Sequence, residues 1–247
     1  MPDQQPSLRA AWEEQARAWA AWARTPGHDH FFERYNLPCF LELVPAPQEL
    51  TVEVGCGEGR VARALAARGH RVVGVDGSPT LTELAATHDR PTVGVVGDAA
   101  ALPLHDVGAD LVVAFMSLQD VDELDASVHE IARVLRKGGA FCMAVLHPIV
   151  TAGDFADDTP SSAYVISRPY AEVRRFAERE ERDGLAMVFH SVHRPLGHYI
   201  AALHRAGLVL EELREPLPPP ALLADRPEMV RQARIPWWLH VRARRPR

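Results

Sequence analysis

The sequence predicts a doubly wound α/β fold, in which helices cover both faces of a mostly parallel sheet. From about residue 50, strand-like and helix-like segments alternate and are joined by short connections. The first strand pattern breaks into glycines at every second position, Gly55, Gly57 and Gly59. Glycine tolerates positive φ and lets the backbone approach a ligand closely, so this strand, turn and helix indicate a nucleotide-cofactor turn.

Five strands are predicted over about residues 50–54, 71–75, 92–96, 110–115 and 140–146. The helices between them are predicted over about residues 59–68, 78–88 and 123–135. Ser78 is expected to cap the second helix, with Pro79 at its first position, where a missing N–H costs nothing. Because the connections are short, right-handed crossovers and a doubly wound sheet are the economical topology.

The pattern changes after Pro148, and residues 149–195 are predicted to be an insertion with edge or lid strands. Regular α/β structure returns with a helix over about 196–206, ended by Gly207, and a strand near 208–213. A last strand begins at Pro236, after a proline-rich connection that is neither helix nor central strand.

At the N-terminus, Leu8, Trp12, Trp19 and Trp22 lie at near-helical spacing and predict an amphipathic helix. This helix either packs on the core or forms a lid over a pocket. We therefore expect one domain in four parts. These are an N-terminal helical lid (1–45), a cofactor-binding core (46–148), a substrate-binding insertion (149–195) and a C-terminal helix with two strands (196–247).

The composition limits which binding partners and which cellular compartment are expected. With a formal net charge of −6, the chain lacks the excess positive charge that binds nucleic acid or an anionic membrane, apart from a short basic C-terminal tail. Three cysteines without a CxxC pair fit a reducing cytoplasm. No apolar run reaches the ~18 residues of a membrane span, and the first residues, MetProAspGlnGln, lack a signal pattern. We expect a cytoplasmic protein that binds neither membrane nor nucleic acid.

The type of cofactor is narrowed by two positions. A dinucleotide fingerprint has a third glycine where this chain has Arg60, which counts against an NAD-dependent oxidoreductase. The spacing from Gly55 to Asp76 suits a carboxylate at the end of strand two, where it accepts hydrogen bonds from vicinal ribose hydroxyls. A ribose is therefore expected, and a pyrophosphate is not required.

Several ordered motifs together resemble the class I S-adenosylmethionine-dependent methyltransferases over about residues 50–148. They are GluValGlyCysGlyGluGly at 53–59, the acidic Asp76, GlyAspAla at 97–99, AspLeuValValAlaPhe at 110–115 and ArgValLeuArgLysGlyGlyAla at 133–140. The resemblance implies S-adenosylmethionine as cofactor, S-adenosylhomocysteine as product and a seven-stranded Rossmann-like sheet. It also implies that the strand of Trp237 and Trp238 is antiparallel and lies next to the sixth.

The resemblance implies a cofactor site built from Glu53, Gly55, Cys56, Gly57, Asp76, Gly77, Ser78, Asp98, Ala99, Phe115 and Met116. Glu53 and the glycine loop would lie beside the methionine moiety, and Asp76 would bind the ribose. Asp98 would accept from the adenine amino group, while Phe115 and Met116 would lie near the sulfonium. Cys56 is read as a small packing residue, because nothing supplies the paired base of a nucleophile.

The acceptor site is predicted from residues near strand ends and in the insertion. A phenol or an ammonium needs a base to free its attacking lone pair, and His147, His193 and Asp120 are the candidates. The predicted acceptor-contacting residues are Trp19, Tyr35, His147, Tyr164, Tyr170, His190 and His193. Each histidine also has a purely structural interpretation, and Asp120 could simply start a helix. No metal site is expected, since His28 and His30 lack a ligand-rich context.

The expected function is methyl transfer to an O, N or C atom of a small-molecule acceptor, such as a secondary metabolite. Two alternatives remain open from sequence. One is an enzyme that uses the same cofactor for a non-methylating reaction, such as cyclisation or decarboxylation, and the other is a non-catalytic cofactor-binding protein. Oligomeric state is not readable from the sequence.

Overall fold

A computed structural model describes residues 6–247 of the chain. The first five residues, including the start of the predicted lid and the segment that lacks a signal pattern, lie outside the described residues. The strands are β1 (Thr51–Val54), β2 (Val72–Asp76), β3 (Val93–Val96), β4 (Ala109–Phe115), β5 (Leu135–Leu146), β6 (Gly153–Phe155), β7 (Tyr164–Ile166), β8 (Arg174–Arg182), β9 (Leu185–His193), β10 (Val209–Arg214) and β11 (Trp238–Arg244).

The helices are α1 (Leu8–Arg24), α2 (Leu37–Leu41), α3 (Arg60–Ala66), α4 (Pro79–Ala86), α5 (Leu124–Val134), α6 (Leu196–Arg205) and α7 (Pro220–Asp225). A π-helical turn at Phe32–Asn36 leads into α2, and 3₁₀ turns lie at Leu118–Asp120 and Pro227–Arg234. Within residues 6–247, no helix combines the length and the apolar character needed to cross a bilayer.

Seven strands form one sheet in the order β10-β11-β5-β4-β1-β2-β3. β1 pairs in parallel with β2 and β4, β2 with β3, and β4 with β5. β11 is antiparallel to both β5 and β10, which confirms the predicted sheet and its reversed last strand. The strand order reverses between β1 and β4, because β2 and β3 extend the sheet on one side of β1 and β4 and β5 extend it on the other. Ligands of open α/β sheets bind at the carboxyl ends of the strands at such a switch point.

The central strands are buried on both faces, as expected for parallel strands covered by helices. Every residue of β1 and β4 is buried. Val112 packs with α5 and α6 through Val128 and Leu203, while its neighbour Val113 packs on the other face with Leu65 of α3. This two-sided core holds the strand ends at a rigid edge.

One boundary of the sheet differs from the prediction. β5 begins at Leu135 instead of Ala140, because Leu135 already has extended dihedrals and pairs with Ala109. The LysGlyGly segment then lies within the strand, with Gly138 at a φ of 76° beside the register shift.

The insertion consists of two hairpins, β6–β7 and β8–β9. The turn between β8 and β9 is Asp183-Gly184, with φ values of 50° and 77°. Positive φ at both positions matches the right-handed twist of a tight hairpin. The edge or lid strands expected from the alternating segments 163–167 and 187–192 correspond to β7 and β9, whereas β6 and β8 were not predicted.

α1 packs across β9 and α4. Its Ser7 cap accepts a hydrogen bond from Ala10 N at 3.2 Å. Trp12 Nε1 donates to the carbonyl of His190 at 2.9 Å, and the rings of Trp12, Trp19 and Trp22 surround Phe189 with centroids 6.0–6.3 Å away. The tryptophan spacing thus serves the packing of the helix onto the inserted hairpin.

Candidate active site

A cavity of about 1020 Å³ opens at the carboxyl edge of the sheet. Its floor is formed by the ends of β1, β2 and β4, and its walls by α1 and the inserted hairpins. All predicted cofactor residues line it: Glu53, Gly55, Cys56, Gly57, Asp76, Gly77, Ser78, Asp98, Ala99, Phe115 and Met116. Of the predicted acceptor-site residues, Trp19, Asp120 and Tyr164 also line it.

The glycine loop lies close against the side chains of Ser117 and Trp19. A Cβ on Gly55 would lie 2.3 Å from Ser117 Cβ, and one on Gly57 would lie 3.2 Å from Trp19 Nε1. Gly55, Gly57 and Gly59 all have positive φ, between 55° and 89°. The backbone conformation therefore favours glycine at all three positions, and at Gly55 the neighbouring side chain also excludes a Cβ.

Asp76 organises the loop from the end of β2. Its Oδ2 accepts a hydrogen bond from Gly57 N at 2.7 Å, and its Oδ1 accepts one from Ser78 N at 2.8 Å. Burial raises its pKa, while these two bonds favour the charged form. Each carboxylate oxygen has a second lone pair, so Asp76 can accept from two neighbouring hydroxyls as well.

Glu53 supplies an unpaired acceptor in the same wall. The residue is only 1% exposed, and its Oε2 has no hydrogen-bond partner among residues 6–247. Burial, with Asp76 and Glu58 nearby, raises its pKa well above the ordinary value. A buried carboxylate oxygen without a partner suits a cationic ligand group such as an ammonium.

Cys56 is a packing residue in this geometry. It is buried, and a Cβ on Gly74 would lie 2.6 Å from its Sγ, so the thiol fills the space beside β2. Burial, followed by the charges of Glu53 and Asp76, raises its pKa well above the ordinary value. An attacking thiolate is therefore disfavoured.

The end of β4 carries backbone strain. Met116 has a φ of 55°, which is unusual for a residue with a side chain, and its N–H donates to Ala144 O at 2.7 Å. Phe115 packs edge-on against Phe32, with ring centroids 5.8 Å apart. Strained residues of this kind are concentrated at functional sites. Here the strained Met116 and its neighbour Phe115, both predicted cofactor residues, line the cavity.

Asp98 and Ala99 line the cavity on the β3 side. Asp98 Oδ1 accepts from Ala100 N at 2.8 Å, which is the bond of a turn residue. The remaining lone pairs of this exposed carboxylate are free for a ligand donor, so the turn geometry is compatible with the predicted contact to adenine.

Asp120 follows β4 in the 3₁₀ turn and faces the cavity. Its Oδ1 accepts a hydrogen bond from Ser191 Oγ of β9 at 2.6 Å. Burial raises its pKa well above the ordinary value, whereas this bond and the charge of Arg194 lower it. A carboxylate with a raised pKa is a stronger base than an exposed one.

The structure does not place His147 or His193 at the cavity, contrary to the prediction. His147 Nε2 lies 2.8 Å from Glu215 Oε1, and its Nδ1 accepts from Ile149 N. His193 is 1% exposed, and its Nδ1 and Nε2 contact Thr151 Oγ1 and the carbonyl of Tyr170. Burial lowers the pKa of both imidazoles. Contacts between distant segments turn both rings away.

Three other predicted acceptor residues also lie away from the cavity lining. Tyr35 is fully buried, and its hydroxyl donates to Pro216 O at 2.6 Å. Tyr170 is exposed and its hydroxyl accepts from Leu196 N, while His190 contacts α1 through its backbone carbonyl. Tyr164 does line the cavity, although its hydroxyl bonds to Gly153 O at 2.6 Å and burial raises its pKa to about 12.

Several lining residues were missed from sequence. Ser117 donates to Val54 O at 2.7 Å, and Gln119 joins the ends of β4 and β5 by contacting Met116 O and Leu146 N. Arg9 of α1 donates to Gly77 O at 2.8 Å. Ser117 and Gln119 could have been predicted as lining residues, because they come shortly after the end of β4. The sequence around Arg9 contains no comparable signal.

β8 contributes a charged wall that was also missed. Its alternate residues Arg174, Phe176, Glu178, Glu180 and Arg182 all line the cavity. Side chains at every second position share one face of a strand, so this alternation was the signal that could have revealed it. Within residues 6–247, no group of three or more metal-ligating side chains converges.

The comparisons with known proteins agree with this geometry. Residues 52–143 match the family model of the methyltransferase domain. The chain is 35% identical over 97 residues to an uncharacterised methyltransferase of Mycobacterium tuberculosis, covering 39% of this chain and 40% of the relative. It is 30% identical over 100 residues to the malonyl-acyl-carrier protein O-methyltransferase of Serratia marcescens, covering 40% and 39%. These matches span about 40% of the curated relatives' length.

A crystal structure of an S-adenosylmethionine-dependent methyltransferase from Mesorhizobium loti superposes with a TM-score of 0.70. It is 26% identical, and the match covers 84% of this chain and 96% of that one. The matched domain, the sheet order and the glycine loop make this chain similar to the class I S-adenosylmethionine-dependent methyltransferases, and S-adenosylmethionine is the cofactor of those proteins.

Proposed function

We propose that the protein transfers a methyl group from S-adenosylmethionine to an O, N or C atom of a small-molecule acceptor, such as a secondary metabolite. One observation carries this proposal. A single cavity joins the predicted cofactor residues to a separate wall formed by α1 and the inserted hairpins. Its volume of about 1020 Å³ is at the upper end of small-molecule sites, which supports two ligands side by side.

The residues of the floor suit the parts of this cofactor. Asp76 has lone pairs for the two ribose hydroxyls, and Glu53 has an unpartnered oxygen for the ammonium. When bound, the cofactor supplies a methyl group on a positively charged sulfur. Phe115 and Met116 would wall the reacting end, exclude water and hold the approach of the acceptor in line.

Asp120 is the base that the geometry favours. It lies in the cavity after β4, and its hydrogen bond from Ser191 holds the carboxylate in one orientation. We propose that Asp120 takes the proton of a hydroxyl or ammonium acceptor, freeing the lone pair that attacks. Carbon acceptors that are already nucleophilic would need no such base.

The acceptor itself would lie between α1 and the hairpins. Trp19 and Tyr164 present rings there, and the inner face of β8 presents both charges. A mixed apolar and charged wall fits a small molecule with an aromatic or aliphatic body and polar substituents. The net charge of −6 does not favour a nucleic-acid acceptor.

Isothermal titration calorimetry with S-adenosylhomocysteine tests the cofactor site directly. Wild-type protein should bind it, and Asp76→Ala should weaken binding by at least about tenfold, because two charge-assisted hydrogen bonds are lost. Glu49→Ala, at a residue exposed before β1, is the matched acidic control and should bind normally. Absence of binding by the wild type would contradict the proposal.

Product analysis then separates the remaining alternatives. Mass spectrometry of candidate small molecules incubated with the protein and S-adenosylmethionine should show a gain of one methyl group. Conversion without that gain would favour a non-methylating enzyme of this fold. Cofactor binding with no conversion over a broad panel of phenols, amines and activated carbon acids would favour a non-catalytic binding protein.

A further inference from the structure

Arg174 is a cation in the acceptor wall that has no negatively charged partner among residues 6–247. It is the first residue of β8, and its side chain lines the cavity. Its Nη2 donates a hydrogen bond to the carbonyl of Thr151, a neutral acceptor. Its guanidinium carbon lies 5.5 Å from the ring centroid of Phe176, two residues further along the same face of β8. Because a guanidinium stays protonated in proteins, its counter-charge has to come from outside the described chain.

The two arginines beside the first hairpin, in contrast, are each paired with an acid. Arg168 Nη1 lies 2.9 Å from Asp154 Oδ2, and Arg231 Nη1 lies 2.7 Å from Asp158 Oδ1. Burial, followed by the charge of Arg168, lowers the pKa of Arg174. A partly desolvated cation beside a second cation is unfavourable, and an anion bound next to it relieves this cost.

The acidic residues on the inner face of β8 do not neutralise Arg174. Glu178 and Glu180 line the same cavity, but they come four and six residues later in the strand. Four residues of a strand span roughly 13 Å, which is too far for an ion pair with Arg174. At the same distance, these carboxylates leave room for an anion at the Arg174 end of the strand.

The unpartnered polar groups around the acceptor part of the cavity are hydrogen-bond donors. Four buried N–H groups of lining residues have no partner within the described part of the chain: Arg174 Nε, Arg231 Nε, Trp237 Nε1 and Trp238 Nε1. Guanidinium and indole nitrogens only donate, and a buried donor without an acceptor is costly. The two tryptophans belong to the same apolar cluster as Met116, so this donor-rich wall extends to the end of β4. A ligand that brings oxygen atoms suits it.

We infer that the methyl acceptor carries a carboxylate group and that Arg174 binds it. This inference rests on the proposed function, because it concerns the acceptor part of the same cavity. The planar fork of arginine binds a carboxylate through two parallel hydrogen bonds. One unpaired guanidinium matches the single negative charge of a carboxylate better than the nearly double charge of a phosphate monoester. The ring of Phe176 offers apolar surface to the carbon body that carries the carboxylate.

Matched pairs of small acids and their amides test this recognition. The probes are benzoate, 4-hydroxybenzoate, phenylacetate and indole-3-acetate, each with its own carboxamide, in the presence of saturating S-adenosylhomocysteine. Ligand-observed NMR titration gives the Kd of each probe. With wild-type protein, at least one acid should bind about fivefold or more tightly than its amide, because a charge-assisted pair of hydrogen bonds forms.

Arg174→Gln removes the charge and keeps an N–H donor for the carbonyl of Thr151. In this variant the ratio of the two Kd values should fall to about one, while the amide alone binds within about twofold of its wild-type Kd. Arg174→Lys keeps the charge without the planar fork, so the ratio should be intermediate. Arg179→Gln is the matched control, because Arg179 lies on the outer face of β8, pairs with Glu181 and has a side chain that is 65% exposed. It should leave the ratio unchanged.

Three results would overturn the inference. They are a wild-type protein that prefers no acid over its amide, a preference that survives in Arg174→Gln, and a loss of preference in Arg179→Gln. If Arg174→Gln does not fold, the Nε–H signal of Arg174 in the wild type decides, once it is assigned by its loss in Arg174→Lys. This signal should shift with the preferred acid and not with its amide, and an unmoved signal would refute a direct contact.

Binding of S-adenosylhomocysteine separates this inference from the proposed function. Wild-type protein that binds S-adenosylhomocysteine and prefers no acid would refute the carboxylate and leave the proposed function standing. Wild-type protein that does not bind S-adenosylhomocysteine would refute the proposed function itself, and the inference with it.

Discussion

Ser191 of the inserted hairpin donates a hydrogen bond to Asp120 at the end of β4, with 2.6 Å between the oxygens. This bond joins the insertion to the seven-stranded sheet beside the cavity, between the predicted cofactor residues and the proposed acceptor wall. Through this bond, the insertion orients the carboxylate of Asp120 and lowers its pKa. Asp120 is the proposed base, so the insertion would influence the proton transfer as well.

Ser191→Ala is expected to raise the pKa of Asp120 further. The hydrogen bond stabilises the charged carboxylate and so lowers the pKa of Asp120, whereas burial raises it. Without this bond, the effect of burial on the pKa is opposed only by the charge of Arg194. Titration of the Asp120 side-chain carboxyl carbon by ¹³C NMR measures this shift without an acceptor. Ser191→Thr, which keeps the hydroxyl, should restore the wild-type titration, and Ser167→Ala on the first hairpin should leave it unaltered. A lower pKa in Ser191→Ala would contradict this account.

Asp120→Asn is expected to stabilise the fold at neutral pH while removing methyl transfer to acceptors that need a base. Burial raises the folded-state pKa of Asp120 above its unfolded value. The protonated carboxyl therefore contributes fully to the unfolding free energy at pH values below the pKa that Asp120 has in the unfolded chain. This contribution is lost as the pH rises through the pKa that Asp120 has in the folded protein. Each unit of the raised pKa corresponds to ~1.4 kcal/mol of unfolding free energy.

Urea denaturation from pH 4 to pH 8 measures this effect. The unfolding free energy of Asp120→Asn minus that of the wild type should increase with pH across this window. Asp125→Asn, at an exposed carboxylate in the first turn of α5, is the control and should show no comparable rise. A difference that does not depend on pH would mean that Asp120 is not protonated preferentially in the folded state.

Gly55→Ala is expected to destabilise the protein and to prevent cofactor binding. The added Cβ would lie 2.3 Å from Ser117 Cβ, and the φ of 73° disfavours any side chain. We expect a loss of about 1–3 kcal/mol, the range typical of overpacking. Gly197→Ala in α6 is the matched control, because nothing lies within 4 Å of its Cβ position, and alanine should stabilise a helix by up to about 1 kcal/mol. Thermal denaturation with and without S-adenosylhomocysteine gives both quantities.

The sheet was predictable because its signals are local. A buried parallel strand is an apolar run, as in β4, and helix ends carry their own markers, such as Ser78 with Pro79 and Gly207. β8 was missed because its residues 174–182 are mostly charged, and it is a strand only through its pairing with β9. The early start of β5 likewise depends on a partner, Ala109, that is distant in sequence.

All residues that the family resemblance assigned to the cofactor line the cavity, because each lies within three residues of the carboxyl end of a strand. The acceptor side was not predictable in this way. His147 is oriented by Glu215 and His193 by Thr151 and Tyr170, and none of these partners can be inferred from the sequence around the histidines. The direction of a side chain that leaves the sheet edge is set by such long-range contacts, which sequence periodicity does not report.

Glu13→Ala is expected to loosen α1 over the cofactor site. The Glu13 carboxylate accepts hydrogen bonds from Ser78 Oγ and from Thr80 Oγ1, the latter at 2.6 Å, and thereby ties α1 to the start of α4 beside Asp76. If α1 is a lid, its amides should exchange hydrogen faster in Glu13→Ala, and S-adenosylhomocysteine should bind about three- to tenfold more weakly, as for a loss of about 1 kcal/mol. Hydrogen exchange followed by mass spectrometry reports on α1 directly. Glu14→Ala, at the exposed neighbouring position, should match the wild type in both measurements. Faster exchange without weaker binding would show that α1 packs on the core and does not act as a lid.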